Sequence, residues 1–178
     1  MSKERDLIQA GITQPGGVWA DIGSGTGIFT LVLRELVGPK AEIYSVDKNA
    51  GSLDKQRKAF KERFPETRVT YMEADFTKPL DLPPLDGVIM ANALHFIPFG
   101  QQEQTLSQIC SYLKPDSSRF ILVEYETNHG RPWIPYPVEY DAFLNLADAA
   151  GLVEVRRIAL SPGFLSPDMY AALGERRG

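Results

Sequence analysis

The segment Val18-Trp19-Ala20-Asp21-Ile22-Gly23-Ser24-Gly25-Thr26-Gly27 decides the fold. It predicts a β-strand over residues 17–22 that turns through alternating glycines into a helix over residues 27–37. Glycines at such a turn let the backbone bend tightly and let a ligand approach main-chain N–H groups at the positive end of the helix. The segment therefore predicts a ligand-binding turn in an α/β protein.

The rest of the chain repeats this unit, a short apolar strand followed by a longer amphipathic stretch, which is typical of a parallel sheet. The further predicted strands are 41–47, 68–73, 85–90, 119–125, 153–160 and 168–175. The further predicted helices are 52–64, 101–113 and 138–150. The last strand has an alternative, because Met169, Ala171, Ala172 and Leu173 suit a helix equally well.

The spacing and charge of the glycine turn disfavour a dinucleotide ligand. A Gly-x-Gly-x-x-Gly motif needs a glycine at position 28, and the chain has Ile28 there. Asp21 lies two residues ahead of the first glycine, where it would repel a pyrophosphate and suit a positively charged ligand. Two hypotheses remain: a protein whose ligand is positively charged and, as the alternative, an NAD(P)-dependent oxidoreductase.

Acidic residues end the next two predicted strands. Asp47, with Lys48 beside it, lies 20 residues beyond Gly27, where a carboxylate can accept from both hydroxyls of a ribose. Asp75 can accept from the amino group of an adenine while Phe76 packs on the ring. Because the carboxyl ends of parallel strands converge on one crevice, these residues predict a nucleoside site beside the glycine turn.

These segments, together with Asp86-Gly87-Val88-Ile89-Met90-Ala91-Asn92, resemble the successive motifs of the class I S-adenosylmethionine (AdoMet)-dependent methyltransferases over residues 17–125. The resemblance implies a Rossmann-like three-layer sandwich with a mostly parallel seven-stranded sheet, in the order 3-2-1-4-5-7-6 with the last strand antiparallel. It implies AdoMet as cofactor and S-adenosylhomocysteine as product. The cofactor-binding residues are then Asp21, Gly23, Ser24, Gly25, Gly27, Asp47, Lys48, Asp75, Phe76, Asn92 and Ala93, the last two near the methionine part.

The expected reaction is in-line attack of a nucleophile on the sulfonium methyl group, for which the protein mainly positions the reactants. His95 and His129 are the candidate bases. The alternatives are a packing or hydrogen-bonding role for His95 and an exposed loop position for His129. Asn92-Ala93-Leu94-His95 departs from the Asn-Pro-Pro-Tyr pattern of enzymes that methylate amide or base nitrogens, which argues against those substrates.

Two segments, 1–14 and 127–140, are the candidates to cover the crevice. Trp133, Tyr136 and Tyr140, beside Arg131, could clasp a planar or acidic small molecule, or could simply cover the edge of the sheet. A small-molecule substrate is therefore expected. The residues leave open the methyl acceptor, its reacting atom and the oligomeric state, and a non-catalytic methyltransferase-like binding module stays an alternative.

Composition sets the remaining expectations. A chain of 178 residues that is 43% hydrophobic predicts a single domain over 1–178. A net charge of −4 offers no general attraction for nucleic acid. The charged residues 3–6 and the lack of an apolar run predict no signal peptide and no membrane span, and the lone Cys110 fits a reducing compartment, so we expect a soluble, cytoplasmic protein. No metal site is predicted, because the two histidines and the cysteine are far apart in sequence.

Overall fold

The computed structural model describes residues 2–176. Its helices are α1 (Lys3–Ile8), α2 (Ile28–Val37), α3 (Ala50–Arg63), α4 (Phe99–Ser111) and α5 (Tyr140–Ala149). Its strands are β1 (Val18–Ile22), β2 (Glu42–Asp47), β3 (Arg68–Glu73), β4 (Gly87–Ala91), β5 (Arg119–Tyr125), β6 (Leu152–Ser161) and β7 (Met169–Arg176). Short 3-10 turns lie at Gln9–Gly11 and Leu94–Phe96.

All seven strands form one sheet in the order β3-β2-β1-β4-β5-β7-β6. Neighbouring strands from β3 to β5 are parallel, and β7 is antiparallel to both β5 and β6. β7 is therefore the one strand that runs against the others in this sheet. The strand order and the reversed last strand that the motifs imply are confirmed.

The central strands are buried on both faces because helices cover both sides of the sheet. Along β4, Val88 and Met90 face a core completed by α4 and α5. Ile89 and Ala91 face the opposite core, to which α1 and α2 contribute. This alternation explains why β4 is a continuous apolar run in the sequence, as expected for a strand between two helical layers.

The ambiguous segment near residue 170 is a strand. Tyr170 and Ala172 pack into one core, while Ala171 and Leu173 pack into the other. The segment pairs with β5 over Met169–Glu175 and with β6 over most of its length, and this tertiary pairing outweighs the helix propensity of alanine and leucine. The strand prediction is confirmed at this position.

The helix boundaries differ from the expected ones by a few residues. α4 begins at Phe99, directly after Pro98, whose backbone at φ −53° and ψ 141° lies outside the helical region. The helix ends at Ser111, so the predicted 101–113 is shifted by two residues. α1 was not predicted, since its six residues are too few for a periodic pattern. Its cap is Ser2, whose side chain accepts from the Arg5 N–H at 3.3 Å.

In the part of the chain from residue 2 to 176, none of the helices combines the length and the hydrophobicity needed to cross a membrane.

Candidate functional site

The site lies where the strand order reverses, between β1 and β4. The connection after β1 leads into α2 on one face of the sheet, and the connection after β4 leads into α4 on the other face. Because the two connections leave in opposite directions, they open a crevice at the carboxyl ends of these strands. The predicted glycine turn and Asn92 both border this crevice.

The glycine turn adopts the left-handed conformation that its sequence predicts. Gly23, Gly25 and Gly27 have φ values of 73°, 54° and 86°, a region that residues with a Cβ rarely enter. The N–H groups of Gly23 and Ser24 donate to the Val46 carbonyl at 2.8 and 3.0 Å. A Cβ on Gly23 would lie 2.6 Å from the Cβ of Ala93. The turn is thus fixed to β2 and presses closely against the segment that follows β4.

Two cavities meet at this turn. The first has a volume of about 470 Å³, and we call it the acidic cavity. Its lining includes Asp47, Lys48, Asp75 and Phe76, together with Ala93, Phe96 and Ile97. The second, of about 300 Å³, lies between the glycine turn and α1; we call it the helix-roofed cavity. Both cavities are lined by Gly23, Gly25 and Asn92. A single elongated ligand can therefore extend from one cavity into the other.

Asp47 and Asp75 supply the acidic groups of the acidic cavity. Asp47 Oδ2 accepts from the Gly25 N–H at 2.8 Å, and its Oδ1 accepts from the Asn49 N–H at 2.8 Å. Asp75 Oδ1 accepts from the hydroxyl and the N–H of Thr77 at 2.7 and 3.0 Å. These hydrogen bonds hold the pKa of Asp75 below its usual value, so this carboxylate is ionised at neutral pH.

Asn92 occupies the junction of the two cavities in an unusual conformation. Its φ of 51° lies in the left-handed region, and its N–H donates to the Val123 carbonyl at 2.8 Å. Its side-chain Oδ1 is buried and accepts no hydrogen bond from any residue between 2 and 176. Buried acceptors nearly always have a partner. This oxygen therefore marks a place where the donor of a ligand would be stabilised.

Asp21 lies beneath the glycine turn and lines neither cavity. Its side chain is 1% exposed, and its Oδ2 accepts from the Thr30 hydroxyl of α2 at 2.6 Å. Burial raises the pKa of Asp21 to about 7; the Thr30 hydrogen bond opposes the rise, and the nearby charge of Asp47 adds to it. Of the three predicted acidic residues, Asp47 and Asp75 therefore face the crevice and Asp21 does not.

Gln56 on α3 supports the turn from below and was missed in the sequence. Its Nε2 donates to Ser24 Oγ at 3.3 Å and to the Gly25 carbonyl at 3.4 Å. A Cβ on Gly27 would lie 2.3 Å from Gln56 Cγ, so Gly27 is needed for packing against α3. Gly27 does not line either cavity. A glutamine within a highly charged helix carries no signal that distinguishes it from a surface residue.

His95 forms a buried pair with Glu124, another residue that sequence reasoning missed. His95 Nδ1 and Glu124 Oε2 are 2.6 Å apart, and both side chains are at most 2% exposed. Glu124 Oε1 also accepts from the N–H groups of Leu94 and His95 at 3.0 and 3.2 Å. The pair thus fixes the 3-10 turn that follows β4, and His95 itself does not line either cavity.

The loop residues take different positions. His129 is exposed, and its N–H donates to Thr127 Oγ1 at 3.2 Å. Trp133 is 51% exposed, with the Arg131 guanidinium 5.8 Å from its ring. Tyr136 packs edge-on against Phe99 with ring centroids 5.5 Å apart. Tyr140 packs instead against Tyr170 at 5.7 Å and lies under Arg157. None of these residues lines the two cavities.

The helix α1 lies over the glycine turn. Lys3, Glu4 and Leu7 line the helix-roofed cavity, opposite Thr26 and Phe29. Arg5 attaches α1 to α2 by an ion pair with Glu35 at 3.3 Å. The segment 1–14, expected to cover the crevice, thus contributes two residues of opposite charge to the cavity wall.

Residues 20–116 match the family described as "Methyltransferase domain". No curated protein matches the chain significantly. Among solved structures, the AdoMet-dependent methyltransferase SibL in its apo form is 20% identical with a TM-score of 0.71, and the match covers 90% of this chain and 50% of SibL.

Two further structures share the fold. A Burkholderia thailandensis 1,6-didemethyltoxoflavin-N1-methyltransferase, with bound 1,6-didemethyltoxoflavin and S-adenosylhomocysteine, is 18% identical with a TM-score of 0.73, over 92% of this chain and 72% of that one. The YcgJ protein of Bacillus subtilis is 14% identical with a TM-score of 0.72, over 96% of both chains. The chain spans about half to two thirds of the length of the first structures that it matches.

Proposed function

The chain belongs to the methyltransferase-domain family, and on that premise we propose that it transfers a methyl group from AdoMet to a small-molecule acceptor. The observation that carries the proposal is the pair of cavities joined at Gly23, Gly25 and Asn92. One cavity holds two carboxylates and an aromatic ring, and the other holds a cation and an anion of α1. This arrangement suits a ligand with a nucleoside at one end and an amino acid at the other.

The residues of the acidic cavity fit a nucleoside. We assign Asp47 to the ribose hydroxyls, because its carboxylate borders the cavity and a carboxylate oxygen has more than one acceptor site. Asp75 and Phe76 are assigned to the adenine amino group and ring, as in the sequence-based expectation. Lys48 completes this wall.

The residues of the helix-roofed cavity fit an amino acid with a positive charge. Glu4 and Lys3 offer an anion and a cation to a zwitterion, and the unpartnered Asn92 Oδ1 offers an acceptor. Gly23 and Gly25, which line both cavities, present backbone without a side chain to the ligand, and Ser24 lines this cavity beside them. Asp21 and Gly27 support this turn from below.

AdoMet supplies a methyl group on a sulfonium, which a nucleophile takes as the electron pair of the C–S bond passes to sulfur. The protein contributes position and exclusion of water. We assign His95 the positioning of the cavity wall, through its bond to Glu124, because its ring is buried away from both cavities. When the reacting atom of the methyl acceptor carries a proton, that proton passes to solvent or to a group next to the acceptor.

Calorimetric titration of the purified protein with AdoMet, S-adenosylhomocysteine and NADH tests this function. We expect the first two to bind and NADH not to bind. Asp47→Asn replaces one acceptor oxygen by a donor group. It should lower the affinity for S-adenosylhomocysteine about 10- to 150-fold. Asp54→Asn is the matched control, because Asp54 is exposed on α3 and contacts only Arg57 among the described ion pairs.

Three outcomes would contradict the proposed function or its residue assignments. Binding of NADH in place of AdoMet would support the oxidoreductase alternative. An unchanged affinity of Asp47→Asn for S-adenosylhomocysteine would contradict the assignment of Asp47 to the ribose hydroxyls. Binding of AdoMet without formation of S-adenosylhomocysteine over a broad set of acceptors would support a non-catalytic binding module.

A further inference from the structure

Two large aromatic side chains lie exposed on the segment that follows β4, and one of them borders the acidic cavity. Phe96 and Phe99 are 55% and 60% exposed. Phe96 also lines the acidic cavity together with Ile97. Single exposed apolar residues are ordinary, but a group of them next to a cavity marks a binding site. Together with Tyr136, which packs on Phe99, we call this group the aromatic rim.

We propose that the aromatic rim binds the methyl acceptor, and that the acceptor is a planar, uncharged aromatic compound. The inference rests on the proposed function, because it takes the acidic cavity to hold the cofactor. Continuity is the reason for this occupant: Phe96 belongs to both the cavity wall and the rim. A compound that lies on the rim and extends past Phe96 towards Asn92 therefore reaches the junction of the two cavities, where the sulfonium between nucleoside and amino acid would lie.

The rim is held in place by one buried amide. Gln102 of α4 is 4% exposed, and its Nε2 donates to the carbonyls of Ile97 and Tyr136, each at 3.0 Å. The Tyr136 N–H donates to the His95 carbonyl at 3.0 Å. These three hydrogen bonds join the segment after β4 to the loop before α5. The rim is thus pre-organised, which lowers the cost of ordering side chains when a ligand binds.

The geometry of the rim favours a flat ligand. The rings of Phe99 and Tyr136 are nearly perpendicular, at 82° with centroids 5.5 Å apart. The Phe96 ring lies 4.3 Å from the His95 ring, which is itself fixed by Glu124. Aromatic rings bind other rings by stacking and edge-to-face contact, which a saturated ring system cannot fully replace.

Charge argues against an anionic acceptor. Within residues 94–99 the one titratable side chain is His95, which is buried. The charges next to the rim belong to the acidic cavity, where the two carboxylates of Asp47 and Asp75 outnumber the one cation, Lys48. An anion on the rim would therefore meet a net negative charge.

Calorimetry with three probes of similar size tests the proposal on the full chain saturated with S-adenosylhomocysteine. The probes are 2-naphthol, which is flat and neutral at pH 7, decahydro-2-naphthol, which is neutral but not flat, and 2-naphthoate, which is flat and anionic. We expect 2-naphthol to bind more tightly than both others. Phe99→Ala should lower the affinity for 2-naphthol about two- to tenfold, which corresponds to the energies measured for aromatic pairs.

Phe164→Ala is the matched control, since it removes an equally apolar ring, 97% exposed, from the loop between β6 and β7. It should leave the affinity for 2-naphthol unchanged, and both variants should bind S-adenosylhomocysteine like the wild type. Equal affinities for 2-naphthol and decahydro-2-naphthol, tighter binding of 2-naphthoate, or equal effects of the two variants would overturn the proposal. So would a dimer in sedimentation velocity that Phe99→Ala abolishes, because the rim would then bind a second copy of the chain.

Different results would contradict the proposed function and the inference about the acceptor. If the wild type does not bind S-adenosylhomocysteine, the proposed function fails whatever the naphthol probes do. If it binds S-adenosylhomocysteine but shows no preference among the probes, only the inference about the acceptor fails.

Discussion

Replacing Asp21 by asparagine should change how the stability of the protein depends on pH. Asp21 is fully buried beneath the glycine turn, and its pKa is raised from the ordinary 3.8 to about 7. An acid whose pKa is higher in the folded chain binds its proton more tightly there. Its contribution to stability therefore falls as the pH rises from 3.8 towards 7. Asparagine has the same shape and no charge to titrate.

The size of the effect follows from the two pKa values. Each pKa unit corresponds to about 1.4 kcal/mol, so the whole interval amounts to about 4 kcal/mol. Between pH 5 and pH 8 the unfolded chain is already ionised, and the folded chain loses its proton in this range. The part of the loss that falls between these two pH values is about 2–3 kcal/mol.

Urea unfolding of the wild type and of Asp21→Asn, both without ligand, at pH 5 and pH 8 measures this quantity. The difference between the two proteins cancels the titration of all other groups. We expect Asp21→Asn to gain about 2–3 kcal/mol relative to the wild type on going from pH 5 to pH 8. A relative change below about 0.5 kcal/mol, or one of opposite sign, would refute the idea that a desolvated carboxyl group lies there. The hydrogen bond from Thr30 can be kept by the asparagine oxygen in both conditions.

Other substitutions separate packing from ligand binding. Gly27→Ala should lower the free energy of unfolding by about 2–5 kcal/mol, because it combines backbone strain with a collision with Gln56. A Cβ at position 25 meets open space, so Gly25→Ala should lower the free energy of unfolding by only about 1–2 kcal/mol. It should also lower the affinity for S-adenosylhomocysteine measured by calorimetry. Glu124→Ala should cost about 3–5 kcal/mol in urea unfolding, since it leaves the His95 ring and two N–H groups without their acceptor. Glu124→Gln should cost less, and the opposite ranking would contradict the role given to this side chain.

The sheet could be predicted from the sequence because its signals are local. The run over β4 is apolar at every position, as burial on two faces requires, and the glycines before α2 fix the turn. The strand order came from the resemblance of the motifs to a known family rather than from any one segment. The nature of β7 could not be settled locally, because alanine and leucine at 171–173 fit both helix and strand until the pairing with β5 and β6 is known.

Part of the lining of the two cavities could be predicted from the sequence, and the supporting residues that could not be predicted have a common reason. Asp47, Asp75 and Asn92 end strands, a position that the sequence reveals, and they border the cavities. Gln56 and Glu124 act through contacts with residues about 30 positions away, at Ser24 and His95. No pattern in the sequence encodes such pairs. Asp21 was predicted by position alone, and its burial under Thr30 depends on how α2 packs on the sheet.

The helix-roofed cavity has residues from both ends of the described chain in its wall: Lys3 comes from α1 and Met169 from β7. Contacts between such distant positions form late, because closing so long a loop of chain carries a large entropic penalty. During synthesis on the ribosome, the wall of the helix-roofed cavity is therefore completed only after β7 has emerged. A nascent chain that stops at residue 125 contains the residues that line the acidic cavity but lacks Met169 of the helix-roofed cavity.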